Sequence, residues 1–273
     1  MIKNITIGQY FPGNSPLHKC DPRTKFILTI AYTVLVYFAS NIFSYILTAL
    51  FLMSLIIISK IHISIILKNI KPLFFIIALT SALNIFYNTD GITLFNWRFI
   101  NVTSGGLITA GFMVLRLIFI ICGAPFLTYT TSPIVITDGL ERLMSPLRIF
   151  KVPVHDIAMM TTIALRFIPI LIDETDKIMS AQKSRGADFE SGGIIKRAKA
   201  LIPILVPLII SAFRRAEELA TAMECRCYHG DKGRTRLRIL KFGLVDLVAL
   251  LVMIAFGISI FLLNNIDTFL SIN

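Results

Sequence analysis

Charged side chains are absent from long stretches of this chain, and the lengths of those stretches predict its main elements. Phe26 to Ser59 runs 34 residues without a charge. A helix rises ~1.5 Å per residue, so about 20 residues cross the ~30 Å hydrocarbon core of a bilayer and the stretch is long enough for two passes. Ser40-Asn41 supplies the turn between them. Pro72 to Thr89 predicts a third span, Gly105 to Tyr129 a fourth with Arg116 inside it, and Leu247 to Ile266 a fifth of 20 residues.

Between the fourth and fifth spans the pattern changes. Asp138 to Lys241 holds 30 charged residues in 104, 18 basic and 12 acidic. Its apolar runs, Ile157 to Ile172 with Arg166 and Pro169 inside and Ala200 to Phe213 with Pro203 and Pro207 inside, are short for a span. They read instead as apolar parts of helices that pack together or lie along the membrane face. Three helices are predicted: a short amphipathic one capped by Asp138 and Glu141, a second from about Val154 to Arg185 ended by Gly186, and a third from about Ile194 to Tyr228. In the third, Ala212, Ala216 and Ala220 recur every four residues, a ridge of small side chains over which another helix can cross closely. The fold class expected is an all-α integral membrane protein with about five transmembrane helices and a domain of three coupling helices, two of them long and crossed. Its divisions are 1–25, an N-terminal segment; 26–130, spans one to four; 131–241, the helical insert; and 242–273, the last span and C-terminus.

Composition agrees with lipid as the solvent: 55% of residues are hydrophobic and only 16% charged, against about 25% charged in soluble domains. The net charge of +11 does not signal nucleic acid, because the charged insert mixes both signs. Lys and Arg asymmetry sets the orientation expected. With the N-terminus in the cytosol, Lys3, Lys19, Arg23, Lys25, Lys60, Lys68, Lys71 and the whole insert lie inside, and Arg98 alone lies outside. The four cysteines show no secreted disulfide spacing, and the polar N-terminus lacks the apolar core of a signal peptide.

Signs of catalysis are sparse. No glycine-rich phosphate loop, metal-ligand motif or nucleophile elbow is present, and no directly bound cofactor or metal is expected. Cys225, Cys227 and His229 alternate, but residues two apart on a helix point in different directions, so a shared ion requires the helix to end there. With Asp231 they are the residues on which a membrane-embedded enzyme would rest. Arg116 in a span calls for a partner, and a backbone carbonyl or a snorkelling position serves.

The ends of the two long helices are the sharper signal: Gln182-Lys183-Ser184-Arg185-Gly186-Ala187-Asp188 and Ala222-Met223-Glu224-Cys225-Arg226-Cys227-Tyr228. Each presents an arginine among small residues, suited to entering a groove and binding carboxylates or carbonyls there. The competing reading is a cation that complements the helix dipole.

These endings resemble the paired Ala-Arg-Gly-type motifs of the transmembrane T component of energy-coupling factor (ECF) transporters. Gly8-Gln9-Tyr10, Ser15, His18 and Asp21-Pro22-Arg23-Thr24-Lys25 resemble that family's opening. The resemblance implies a non-catalytic scaffold in a prokaryotic plasma membrane. Two ABC-type ATPases, which use ATP and Mg, would sit on its coupling helices, and a separate S component would bind a vitamin or metal beside it. It also implies that Arg185 and Arg226 dock into the ATPases, with Ser184, Gly186, Ala222, Glu224, Cys225, Cys227 and Tyr228 shaping the contacts. Cys225-Arg226-Cys227 departs from the family pattern, which more often has a small residue before the arginine and glycine after it.

Overall fold

The computed structural model describes residues 10–87, 92–97, 100–187, 189, 193–228, 230 and 240–270, without the side chains of 93–97, 100–102, 194, 196–198 and 266–270. In chain order the elements are α1 (Pro16–Lys19), α2 (Pro22–Phe38), α3 (Ile42–Ser59), α4 (Ile63–Lys68), α5 (Ile70–Tyr87), β1 (Thr93–Trp97), β2 (Ile100–Thr103), α6 (Ser104–Gly123), α7 (Phe126–Thr130), α8 (Pro133–Leu143), a 3-10 turn (Ser145–Phe150), α9 (Val154–Ser184), α10 (Ile194–Glu224) and α11 (Leu244–Leu270). They fall into two compact units, residues 9–139 with 240–273 and residues 140–239.

In the first unit the predicted turn stands where the sequence puts it: α2 ends at Phe38 and α3 begins at Ile42. Helices α2, α3, α6 and α11 pack together, and α5 lies against α6. Aromatic rings fill the centre. Phe51 and Phe256 stack with centroids 4.2 Å apart, and Tyr32 stacks on both at 6.1 and 6.5 Å. Tyr32 donates its hydroxyl proton to the Phe119 carbonyl at 3.0 Å. Its ring passes so close to α6 that a Cβ on Gly123 would stand 2.1 Å from Cε1, and only glycine fits. The outward faces are large and apolar, with Leu50, Phe74, Phe75 and Phe261 among the exposed side chains. That is the face a helix shows to lipid.

Polar side chains tie the bundle at both ends. At one end Asn264 Nδ2 donates to the Phe38 carbonyl at 2.8 Å and Asn41 Nδ2 to the Leu263 carbonyl at 3.1 Å, joining the α2–α3 turn to α11. Arg116 belongs here: its Nη2 donates to the Ala39 carbonyl at 2.9 Å and its guanidinium lies over the Tyr37 ring. The carbonyl partner makes it a structural cation. At the other end, Asp21, Arg23, Lys25 and Asp246 form a second network.

Among the described residues, five helical stretches are long and apolar enough to cross a membrane: α3, α5, Ser104–Thr130, α9 and Leu244–Asn265. All but α9 coincide with predicted spans. Helix α2, the predicted first span, has 17 residues, about 25 Å of rise, and packs among the others. Helix α9 corrects the length argument made for its apolar run, because the helix continues through Arg166 and Pro169 for 31 residues. Length alone therefore does not keep it out of lipid. The fold is all-α as expected, and the short β1–β2 hairpin, antiparallel with Trp97 opposite Ile100, is an element the sequence reading did not anticipate. Its residues include Thr93, Phe95, Trp97, Ile100 and Val102, the types that favour strands, but counting charge-free intervals is blind to a four- or five-residue strand.

In the second unit α9 and α10 are each 31 residues long and pack against each other. The proline at 169 and those at 203 and 207 lie within these helices without ending them. Helix α8 begins at Pro133, five residues ahead of the cap expected at Asp138 and Glu141. Proline presets the helical φ and needs no N–H in the first turn, so it starts the helix first. Glu141 instead takes a hydrogen bond from His155 Nδ1 at 3.0 Å, joining α8 to the start of α9.

Candidate functional site

The two long helices end in the same way. In α9, Arg185 N–H donates to the carbonyls of Ala181 and Gln182, Gly186 N–H to Lys183 at 3.0 Å, and Ala187 N–H to Gln182 at 3.0 Å. In α10, Arg226 N–H donates to Met223 at 3.1 Å, Cys227 N–H to Glu224 at 2.9 Å, and Tyr228 N–H to Met223 at 3.1 Å. Both are Schellman closures, in which the residue after the cap turns left-handed and the next reaches back to a carbonyl of the last turn. The left-handed residues are Gly186, at φ 87°, and Cys227, at φ 56°. The arginine is the cap itself in the first ending and stands one residue later than the last helical turn's cap in the second, immediately before the left-handed residue in both.

This closure turns the backbone away directly after the arginine and leaves its side chain at the end of the rod. Arg185 and Arg226 are both exposed. Among the described residues, neither guanidinium has a hydrogen-bond or ion-pair partner. Ser184, Gly186, Ala222, Glu224 and Cys225 are exposed around them, Cys227 is exposed and Tyr228 half-buried. Ser184 turns its hydroxyl inward to the Ser180 carbonyl at 3.1 Å, which keeps the tip smooth.

Behind the tips the helices are joined by one carboxylate. Ser211 Oγ donates to Glu174 Oε1 at 2.6 Å and Arg215 Nη2 to Oε2 at 2.8 Å. The two residues that meet Glu174, Ser211 and Arg215, stand one before Ala212 and Ala216, the first two of the alanines expected at the crossing. Ala212 is half-buried, while Ala216 and Ala220 are exposed. Sequence reasoning missed Glu174, Ser211 and Arg215, because charges on a mixed-charge helix give no sign of which one meets a partner across the pair.

Among the described residues no three His, Cys, Asp or Glu side chains are placed to share a metal ion. The α10 helix does end at Cys225 and Cys227, but His229 and Asp231 lie outside the described residues. In the first unit a cavity of about 220 Å³ is lined mainly by apolar groups, including Tyr32, Phe51, Phe126, Val248, Val252 and Met253. Cys20 at its edge is buried, and burial, then the Asp246 carboxylate, push its thiol pKa up, so it remains protonated.

The chain is similar to known proteins over nearly its whole length. A profile of the cobalt transport protein family, CbiQ, matches residues 13–237. The energy-coupling factor transporter transmembrane protein EcfT of Ruminiclostridium cellulolyticum is 50% identical over 266 residues, covering 97% of this chain and 99% of the relative. That of Clostridium kluyveri is 53% identical over 251 residues, 91% and 93% of the two chains. The Bacillus subtilis protein of the same name is 43% identical over 264 residues, 97% and 100% of the two. With multiple helices long enough to span, apolar outer faces and full-length relatives that carry this name, the chain is a multi-pass membrane protein and belongs to the EcfT family of energy-coupling factor transporter transmembrane proteins.

Proposed function

We propose that the chain is the non-catalytic scaffold of an ECF-type ABC importer, and that its two arginine-ended tips each dock one cytosolic ATPase. The observation that carries the reading is the duplicated closure: two 31-residue helices end in the same hydrogen-bond pattern and each offers an exposed guanidinium with no partner among the described residues. Arginine is suited to the role because its planar fork makes several directional bonds to carboxylates or carbonyls and sheds water more readily than an ammonium. The small neighbours permit close approach. ATP and Mg are used by the ATPases, and no cofactor is assigned to this chain.

The reading places the N-terminus and the 140–239 unit in the cytosol and the C-terminus outside, following the Lys and Arg asymmetry. Helix α9 is kept at the inner membrane face. From Asp173 onward it carries Asp173, Glu174, Asp176, Lys177 and Lys183, and a charge at the centre of a span costs about 2.5 kcal/mol or more. When the ATPases close on ATP they move the two tips, and the helices, each about 46 Å long, carry that motion as stiff rods. The Glu174 bonds to Ser211 and Arg215 make the pair move together. A separate S component, which binds the vitamin or metal, reorients in response. The exposed Ala216 and Ala220 face offers a close approach to a partner helix.

Uptake by the whole complex in proteoliposomes tests this. Arg185→Ala and Arg226→Ala each lower substrate uptake, and the double variant abolishes it while the chain still inserts in the membrane. Full uptake by the double variant contradicts the proposal.

A further inference from the structure

Asp21 to Lys25, at the start of α2, hold both stretches of chain that connect the spans to the 140–239 unit. On the outgoing side, Lys25 Nζ donates to the Thr130 carbonyl at 3.0 Å, to Thr131 Oγ1 at 2.8 Å and to the His18 carbonyl at 3.3 Å. Its three protons are all taken by neutral oxygens, and the residue is only 6% exposed. Thr130 ends α7, and only Thr131 and Ser132 separate it from Pro133, where α8 begins. Pro22 packs against α8 itself: a Cβ on Gly139 would lie 2.9 Å from Pro22 Cβ.

On the returning side, Arg23 Nη2 donates to the carbonyl of Leu240, the first residue after the unit, at 3.1 Å. The guanidinium lies over the Phe242 ring at 4.7 Å. Asp246, in the first turn of α11, accepts from the backbone N–H of Asp21 and of Gly243, each at 2.7 Å. Asp21 in turn accepts from Arg23 N at 2.9 Å and Nε at 3.3 Å. One segment of five residues therefore fixes the root of α8 and the root of α11 to the same point on the bundle.

Taking an ammonium out of water costs several kcal/mol, and neutral oxygens offset this less than a carboxylate would. A neutral donor at position 25 would be the less costly way to cap α7. What the ammonium adds is three donors at once, one to the last residue of α7, one to the residue after it and a longer one to His18.

We propose that Arg23 and Lys25 are positioning residues for energy coupling: they hold both roots of the 140–239 unit still, so that force applied at its tips turns α9 and α10 instead of stretching the connecting chain. This rests on the docking role of Arg185 and Arg226. An element transmits motion only if its far end is fixed, and a lever with loose roots dissipates the displacement in local backbone changes.

The test uses the whole complex, with ATPases and S component, in proteoliposomes. Arg23→Gln and Lys25→Met are compared with the milder Thr131→Val and Phe242→Leu, which keep both charges in place. ATPase affinity, ATP hydrolysis, thermal stability and substrate taken up per ATP are read for each. The expected result is unchanged ATPase affinity and continued hydrolysis, with uptake per ATP falling by about five-fold in the charge variants and by a smaller factor in the mild ones. Arg23→Lys, which keeps the cation, recovers part of the loss. Uptake per ATP equal to the parent's in the assembled mild variants overturns the proposal. So does a loss of uptake that follows thermal stability and hydrolysis in strict proportion, which is the mark of a merely structural role. Failure of the docking reading shows separately, as ATPase affinity indifferent to Arg185 and Arg226.

Discussion

Arg215 and Glu174, from the two longest helices of the chain, meet at 2.8 Å, and Ser211 completes the carboxylate's partners. The pair is partly open to solvent, so its use lies less in stability than in fixing which turn of α10 faces which turn of α9. Glu174→Ala and Arg215→Ala should each reduce uptake. Because both remove the same contact, the double variant should cost no more than the worse single change. Uptake assays on the three variants check this, and strictly multiplied losses would show that the two residues act apart.

The two tips differ at the residue that turns left-handed, glycine in one and cysteine in the other. A side chain in that conformation costs about 1–2 kcal/mol. Gly186→Ala should therefore loosen the first tip and weaken ATPase binding, by about ten-fold if the change acts on docking alone. Cys227→Gly should act in the opposite direction and tighten the second closure. Hydrogen exchange at the Ala187 and Tyr228 amides, which make the back-reaching bonds, reads each closure directly.

Thiol labelling separates the cysteines. Cys225 and Cys227 are exposed, whereas Cys20 and Cys122 are buried. The pKa of Cys20 is raised by burial and by Asp246, so at mildly alkaline pH it holds less thiolate than an ordinary cysteine and reacts more slowly still. Maleimide applied to the detergent-solubilised chain should modify Cys225 and Cys227 first, and prior addition of the ATPases should protect them. Peptide mapping by mass spectrometry identifies the labelled sites.

Gly123→Ala tests the aromatic centre of the bundle. The new Cβ meets the Tyr32 ring at 2.1 Å, and Tyr32 is held by its stack on Phe51 and Phe256 and by its bond to Phe119. Overpacking of this kind costs about 1–3 kcal/mol. The variant should melt lower than the parent in detergent, and Tyr32→Leu should restore part of the loss by making room.

Much of the spanning unit was legible in the sequence because lipid imposes a length. The Ser40-Asn41 turn and the spans around α3, α5, α6 and α11 all follow from where charges stop and start. For α9 the extent from about Val154 was legible, but the length argument that set its apolar run apart from a span does not hold, since the helix runs on past that stretch. The same method passed over the hairpin, too short to register as an interval. The tips were visible as arginines among small residues, and the glycine at 186 announced one closure. Nothing announced the other, because cysteine seldom turns left-handed and its conformation at 227 comes from the bonds that Tyr228 and Cys227 make to the helix end. Lys25 was legible only as an inside charge and as part of the opening that resembles the family's, and Asp246 did not stand out at all. Their partners, Thr130, Thr131, Asp21 and Gly243, depend on chain segments far apart in sequence that packing alone brings together.

The central claim is that the two arginine-ended tips hold the ATPases, and the affinity of the purified chain for those ATPases measures it most directly. Truncating an arginine at the centre of a contact costs about 2 kcal/mol or more, some thirty-fold in dissociation constant. The account predicts that Arg185→Ala and Arg226→Ala each weaken binding by at least that order and that the double variant retains no measurable complex. An unchanged dissociation constant in the double variant would contradict it.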